Sequence, residues 1–395
     1  MKARYQYRFY PTDQQRQSLA QLFGCVRVVW NDALAICLNS EKLPKNGDLQ
    51  KIVITQAKKT DERLWLAGVS AVPLQQSVAD LGTAYKNFFD SLSGKRKGSK
   101  MGKPRFKRKQ GRQSARFNDN AFSIASGRVY LAKIGDVSPI WSRELPSAPS
   151  SVTVIKDAAN RYFLSFVVET GVVVHPALNP SIGIDLGIKI FAALSSGEKV
   201  FSPNYSKPDR RVRKAQRKLA RQVKGSNRRY RTTLKIAKLH NQISDTRKDF
   251  LHKLSTRMVN ENQVVSLEDL NVSGMVKNRK LSRVISLQGW RAFRELLKGK
   301  SEKFGRELVI INRWEPTSQG CSDCGFKWGK LDLKVRSISC ISCGAEHDRD
   351  VNASRNIEKV GIGHCHDSQW TGSDSETTSV ARCCEPSRIT TALAR

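Results

Sequence analysis

Acidic side chains are scarce in this chain. Only 35 aspartates and glutamates stand against 69 lysines and arginines, which leaves a formal charge of +34 over 395 residues. Such a one-sided balance argues against a merely solvated basic surface, which normally mixes both signs, because its cations would repel one another unless a polyanion neutralised them. A long nucleic acid is the expected partner. Long apolar runs are missing too. No stretch of about 18 apolar residues offers a membrane span, and Met1-Lys2-Ala3-Arg4-Tyr5 does not open a secretory signal. No membrane partner and a cytoplasmic location are therefore expected. Histidine is limited to six scattered residues, and no serine, cysteine or histidine nucleophile suggests itself. The nine cysteines are too few and too uneven for a disulfide scaffold in a chain this long, and suit thiolates in a reducing compartment better. No internal repeat is evident.

In the N-terminal half, Tyr5, Tyr7 and Phe9 alternate with Arg4, Gln6 and Arg8, the period of a strand with one buried and one basic face, and Pro11 ends it. Thr12 and Gln15 have the spacing of a capping box, ahead of Leu19, Leu22, Phe23, Val26, Val29, Trp30 and Ala33 at helical intervals. Cys25 and Cys37 fall on that apolar pattern and read as core. A second helix follows Pro73 through Phe88 and Phe89. Between Gly94 and Phe117 lie eleven Lys and Arg and no acid, a segment expected to be mobile until it meets phosphates. Strands are expected over 121–134, 151–157 and 161–169, the last two joined by a turn at Asp157-Ala158-Ala159-Asn160. This mixed half, a small barrel or sheet interrupted by helices, ends near His175-Pro176, and Asn179-Pro180 reads as a linker.

From Ser181 the pattern changes. Ile182-Gly183-Ile184-Asp185-Leu186 reads as a buried strand, Gly187 turns, and Ile190 to Leu194 returns antiparallel, followed by Lys199 to Phe201. Residues 208–254 carry sixteen Lys and Arg against Asp209, Asp245 and Asp249 on a largely helical pattern, which favours phosphate contact over a merely solvated face. A strand at 264–268, one amphipathic helix spanning Leu287 to Phe304, a strand at 308–311 and a short helix from Asp350 to Gly361 complete the order of an RNase H-like α/β domain.

Four cysteines, Cys321-x-x-Cys324 and Cys340-x-x-Cys343, interrupt that order just before its final helix. Each pair is followed by a glycine, and the spacing is that of a structural tetrathiolate zinc site. Three acids sit on apolar segments. Asp185 lies mid-strand, where an unpaired carboxylate would cost several kcal/mol, so a partner or a metal must neutralise it. A turn aspartate beside Gly187 is the competing reading. Glu268 ends its strand and could equally be an exposed strand-end acid. Asp350 heads a helix, where capping competes, and Asp348 contends for the same place. Two strand ends and one helix start are nonetheless how a sheet edge gathers carboxylates around two Mg²⁺ ions for phosphodiester hydrolysis.

Gly183-Ile184-Asp185-Leu186-Gly187, Leu267-Glu268-Asp269-Leu270, Thr317-Ser318-Gln319-x-Cys321-x-x-Cys324-Gly325 and Asp348-Arg349-Asp350-Val351-Asn352-Ala353-x-x-Asn356-Ile357 together resemble the TnpB (OrfB) family of insertion-sequence-encoded proteins, relatives of the compact type V CRISPR effectors. Gly24-Cys25-Val26-Arg27 and Pro104-Arg105-Phe106-Lys107 extend the resemblance, which covers about residues 1–360. It implies an α/β multidomain protein in which a RuvC (RNase H-like) nuclease domain with an inserted zinc ribbon follows a wedge-like β-barrel and a helical recognition lobe. The implied boundaries are 1–178 for the barrel with its helices at about 12–92, 181–316 for the first part of RuvC with the basic insert 208–254, 317–346 for the zinc ribbon, 347–360 for the final helix and 361–395 for a flexible tail. That tail, with Trp370, Cys365, Cys383 and Cys384, matches nothing in the family, and Ser354 stands where many relatives have alanine.

The resemblance also implies an RNA-guided DNA endonuclease of a prokaryotic transposable element, acting at the nucleoid with a guide RNA from the transposon end and double-stranded target DNA next to a short duplex motif. By matching motif, Asp185, Glu268 and Asp350 are the magnesium-holding catalytic acids, Cys321, Cys324, Cys340 and Cys343 the zinc ligands, and Asp348 a structural neighbour. Gln75 and Gln76 fall where similar proteins approach the adjacent-motif duplex, and Lys103, Arg105, Lys107 and Arg108 belong to the implied nucleic-acid surface. Two alternatives are a nuclease-silent RNA-guided repressor, which the intact acids argue against, and an unguided RNase H-type nuclease, which would not need so much positive charge.

Overall fold

The computed structural model describes residues 1–96, 98–332 and 334–367, so most of the expected tail, including Trp370, Cys383 and Cys384, lies outside the described residues. Backbone contacts divide the chain into two units: Met1–Thr170 with Gln222–Lys238, and Gly171–Arg221 with Leu239 onward.

The first unit begins with β1 (Lys2–Phe9), whose alternation buries Tyr7 and Phe9 while Arg4 faces outward. Helix α1 (Asp13–Asn39) starts at the expected capping box: Thr12 Oγ1 accepts from the Gln15 amide at 3.3 Å, and the Gln15 side chain accepts from the Thr12 amide at 3.1 Å. By length and composition alone α1 could cross a membrane, with an 18-residue window of mean hydropathy 1.3, a candidate the sequence reading passed over. Its apolar face is instead committed to the core, where Leu19, Leu22, Val29 and Leu34 are buried along with Cys25 and Cys37. A short α2 (Asn46–Gln50) precedes α3 (Ala71–Leu92), which begins two residues before Pro73. That proline sits in the first turn, where its missing N–H costs no intrahelical bond.

The strands β2 (Gln113–Asn118), β3 (Phe122–Ala125), β4 (Arg128–Leu131), β5 (Gly135–Val137), β6 (Ser151–Lys156) and β7 (Tyr162–Glu169) follow. They pair as an antiparallel sheet ordered β1-β7-β6-β2 and a meander β3-β4-β5; no hydrogen-bonded ring closes among the described strands. Asn160 takes φ 61° in the β6–β7 turn, with Asp157 accepting from the amides of Ala159 and Arg161. The basic segment is more ordered than its composition suggests. Its end is β2, and its middle is pinned to α1, where Trp30 donates to the Arg105 carbonyl at 3.0 Å and Asn31 bonds the Lys107 backbone twice.

The second unit is built on β8 (Asn179–Leu186), β9 (Ala192–Leu194) and β10 (Lys199–Val200), then α4 (Ser206–Ala220), the part of α5 (Asn227–Glu261) from Leu239 onward, and β11 (Asn262–Glu268). Asn179 and Pro180 are not a linker: they open β8, where Asn179 pairs with Asn262. After α6 (Val272–Met275), the expected single amphipathic helix is broken into α7 (Ser282–Gln288) and α8 (Trp290–Phe304), because Gly289 adopts φ 76°. Then come β12 (Glu307–Ile311), β13 (Ser337–Ser339), β14 (Glu346–Asp348) and α9 (Arg349–Asp367).

The sheet runs β10-β9-β8-β11-β12, with β8, β11 and β12 parallel and β9 and β10 antiparallel. One face of β8 carries Ile182 and Ile184 into a core with Leu251 of α5 and Phe293 and Leu297 of α8. Within that core Phe191 meets Phe250 and Phe293 edge-on at 5.0 and 5.4 Å.

Because side chains alternate along a strand, Gly183 and Asp185 point to the other face, which α9 covers. Two glycines set how closely it lies. A Cβ at Gly183 would collide with the Ser354 carbonyl and the Glu358 amide, and one at Gly361 would collide with the Ser266 side chain. Gly361 is therefore an approach point within α9 and not its end.

Candidate metal centres

The register of the sheet brings the first two acids together. Ile184 of β8 pairs with Leu267 of parallel β11, so Asp185 and Glu268 are the next residues at the C-terminal ends of neighbouring strands, which lie about 4.8 Å apart. Helix α9 packs on β8 at Gly183 and on β11 through Gly361, and its first turn carries Asp350 over the same strand ends. Asp185, Glu268 and Asp350 line one cavity of about 420 Å³, together with Arg336, Arg349 and Trp314.

Gathering three carboxylates has an electrostatic cost. Burial, then the charges of Asp350 and Glu268, push the Asp185 carboxyl up to about 7, with Arg349 only partly offsetting them. Burial also raises Glu268, helped by neighbouring Asp269. Asp269 itself turns away and is held low by the guanidiniums of Arg313 and Arg294. Asp350 is bridged by Arg336, whose Nη1 lies 3.3 and 3.4 Å from its two oxygens.

Asp348 does the capping that the sequence left open between it and Asp350. Its Oδ1 accepts from the amides of Asp350 and Val351, both at 3.2 Å, while its other oxygen meets Lys199 Nζ at 2.6 Å. Released from capping, Asp350 faces the cavity.

The four cysteines form the second centre. Their sulfurs all lie within 4.8 Å of one another, with Cys321 to Cys343 at 3.8 Å and Cys324 to Cys340 at 3.6 Å. A tetrahedral zinc at about 2.3 Å from each sulfur requires sulfur separations of about 3.8 Å, so the cluster fits that ion. Two equivalent knuckles produce it. Gly325 and Gly344 take φ 79° and 74°, and their amides return to the carbonyls of Cys321 and Cys340 at 3.0 and 2.8 Å. Backbone amides, first that of Cys343, draw the Cys340 thiol down to about 7. Burial pushes Cys321 up, but the amides of Cys324 and Asp323 outweigh it and lower that thiol. His347, which the sequence reading passed over as a site residue, lies with Nε2 3.0 Å from Cys321 Sγ.

Side chains of α9 tie the two centres together. Asn352, buried one turn below the start of the helix, accepts from the Ser322 amide and donates to the Gly320 carbonyl, each at 2.8 Å. Asn356 donates to the carbonyls of Thr317 and Gly320 at 2.8 and 2.9 Å, and Lys359 reaches the Ser322 carbonyl. The first cysteine knuckle is thus fastened to the helix that carries Asp350.

The remaining predicted residues lie in the first unit. Gln75 is exposed on α3 and Gln76 half-buried beside it. Lys103, Arg105 and Arg108 are exposed in the coil that follows α3. Lys107 differs: its Nζ sits 3.7 Å from the centre of the Trp30 ring, and burial lowers its pKa against the pull of Asp80. Arg336, Trp314 and Lys199 were not picked out from the sequence. None of them is itself part of an apolar period or of a metal-ligand pattern, so only the folded backbone brings them to the site.

Three family models match the chain: OrfB_IS605, described as a probable transposase, over residues 165–279; the Cas12f1-like TNB domain over 290–357; and a helix-turn-helix domain of OrfB_IS605 over 1–41. In this structure residues 1–41 hold one strand and one long helix. A protein of Streptomyces pristinaespiralis named "Putative RNA-guided DNA endonuclease" is 43% identical across 100% of this chain and 99% of its own length. InsQ of Escherichia coli K12, named in the same terms, is 31% identical over 90% of this chain and 92% of its own. Among solved structures, a chain of a Cas12f1–sgRNA–target DNA complex overlaps with a TM-score of 0.48 and 13% identity, covering 87% of this chain and 81% of that one.

Proposed function

The chain belongs to the TnpB (OrfB) family, and from that premise we propose that it is an RNA-guided DNA endonuclease that hydrolyses target DNA in a single RuvC-type site. The observation that carries this reading is the cavity shared by Asp185, Glu268 and Asp350 at the C-terminal ends of two parallel strands. The sheet order β10-β9-β8-β11-β12, three antiparallel neighbours followed by parallel ones, is the order expected of an RNase H-like domain and supports the reading further.

The donor set fits hard divalent ions. Asp185, pushed up to about 7 by burial and by the charges of Asp350 and Glu268, would be relieved by bound cations, and oxygen ligands at an open cleft suit magnesium. Two such ions held by Asp185, Glu268 and Asp350 would supply an activated water and neutralise charge on the leaving oxygen. With ions so held, the chemistry supplied would be hydrolysis of the P–O3′ bond, water giving its oxygen to phosphorus and a proton, in net, to the departing 3′ oxygen, with a 5′-phosphate and a 3′-hydroxyl as products. The chain's own residues hold the geometry. Asp348 and Lys199 fix the start of α9, Gly183 keeps that helix against β8, and Arg336 lends Asp350 the positive charge the site calls for.

Around this centre the rest of the reading assembles. Residues 317–346 form a zinc ribbon on Cys321, Cys324, Cys340 and Cys343. In the first unit, Gln75 and Gln76 approach the adjacent-motif duplex, where an amide can pair bidentately with adenine, and Lys103, Arg105, Lys107 and Arg108 meet phosphates. The guide RNA derives from the element's own end.

The test starts from the RNA that accompanies the purified protein. That RNA should be one structured species with a variable 3′ end, and DNA matching the variable part should be cut with Mg²⁺ and spared with chelator. Asp185→Ala should slow cleavage by at least about 10³-fold while RNA binding stays intact. Cutting that survives chelation or the substitution would remove the carboxylate–metal mechanism.

A further inference from the structure

We propose that Trp314 is a stacking platform for an unpaired base of the DNA strand being cut, and that it thereby selects which phosphate enters the carboxylate cleft. The inference rests on the nuclease reading above. Trp314 is 83% exposed although indole is among the side chains most stabilised by burial, and it lines the same cavity as Asp185, Glu268 and Asp350.

Its display is built and not a loose end. Asn312 Oδ1 accepts from the Trp314 amide at 3.1 Å, and the Asn312 carbonyl accepts from the Glu315 amide at 3.2 Å, closing a turn directly after β12. The preceding residue, Arg313, is tied to Asp269, which Arg294 of α8 also holds. The backbone under the indole is therefore fixed from both sides. Among the described residues no hydrogen bond or ring contact reaches the indole itself.

The surroundings say what would cover it. Arg336 and Arg349 stand in the same cleft, so the ring has cations for neighbours as well as the carboxylates. An aromatic face beside arginines is how proteins hold single-stranded nucleic acid, the cations on phosphates and the ring on a base. A base within a duplex has both faces taken, so the strand reaching these acids must present one that is turned out. Stacking that base next to the cleft fixes the register between ring and scissile phosphate.

The experiment uses the protein with its accompanying RNA and matched target DNA carrying 5-iododeoxyuridine at successive positions around the cut, in Ca²⁺ to prevent hydrolysis. Irradiation should cross-link Trp314 to one or two positions adjacent to the cut phosphate, mapped by mass spectrometry. Trp314→Leu should slow single-turnover cleavage by about 5- to 100-fold and spread the cut over neighbouring phosphates, and Trp314→Phe should restore most of the rate and the single cut. Zinc content and RNA binding, measured on each variant, separate misfolding from lost stacking, and the cross-link on the unaltered protein needs no variant at all. No cross-link at Trp314 together with unchanged rate and cut sites in Trp314→Leu would overturn the proposal while leaving the nuclease reading standing. Cross-links from the positions flanking the cut to other side chains and none to Trp314 would overturn it as well. Cleavage by Asp185→Ala, or cleavage that survives chelator, would bring both down.

Discussion

The thiolate cluster and the carboxylate cleft sit in one unit and are joined through one helix, yet they are made in opposite ways. The four sulfurs come from two knuckles within 23 residues of sequence, each closed by its own glycine, and all lie within 4.8 Å. Among the described residues no other set of three or more candidate ligands is drawn so close. The acids come from β8, β11 and α9, and only strand register and helix packing bring them to one cavity. The thiolate set is closed and matches one tetrahedral ion, whereas the acids are spread more widely around an open cleft. Closed sites hold a fold together, and open ones leave positions for water and substrate. The difference teaches that local chain geometry can preset a structural ion, while a reactive one waits on the whole domain.

The largest expected effect comes from breaking the closed site. Structural zinc contributes about 10–16 kcal/mol in comparable small modules, so removing one ligand removes most of what holds residues 317–346. Cys321→Ser should abolish stoichiometric zinc by metal analysis and cut soluble yield severalfold. If the variant kept full zinc and an unchanged melting curve, the cluster would not be the module's support.

How much of this contrast was visible in the sequence follows the same division. The knuckles were legible because Cys-x-x-Cys-Gly is a local pattern, and Asp185 was legible because a charge between apolar neighbours on a strand demands a reason. The capping box at Thr12 and Gln15 was equally local and stands as read. Glycines were harder, since one letter serves several purposes. Gly361 read as a stop but marks where α9 touches Ser266, and Gly289 read as helix interior but splits α7 from α8. Arg336 and Trp314 carry no periodic signal, and their place beside the acids is a product of long-range packing alone. Segment 94–117 looked mobile by charge, but Trp30 and Asn31 hold its backbone through contacts some 75 residues apart in sequence.

A smaller effect should follow from loosening the joint between the centres. Asn352 is buried and its Oδ1 accepts from the amide of buried Ser322, a bond lost with the side chain, whereas the Gly320 carbonyl still has Asn356. One buried unpaired amide costs about 1–3 kcal/mol. Asn352→Ala should therefore weaken zinc retention against a chelator and, because Asp350 lies half a turn away on the same helix, slow cleavage by about 10-fold or more. Zinc loss without any change in cleavage would show the two centres to be independent, and the joint to be no more than local packing.

The smallest effect probes the open site in the absence of ions. Asp185 titrates at about 7 in the folded protein, against an ordinary carboxylate value of about 4 in the unfolded chain. Between those values the native state holds a proton that the unfolded state has lost, so stability falls as pH rises through the window. Metal-free protein should accordingly melt lower at pH 8 than at pH 6, by on the order of a few °C. Asp185→Asn removes the titrating group and should recover that loss at pH 8, while Mg²⁺ should recover it for the unaltered protein and do nothing for the variant. The thiolate cluster moves the opposite way, since zinc binding improves as its thiols deprotonate. Melting that is flat between pH 6 and 8 without Mg²⁺, in zinc-loaded protein, would mean that burial and the neighbouring acids do not raise Asp185, and the contrast between a relaxed closed site and a strained open one would be gone.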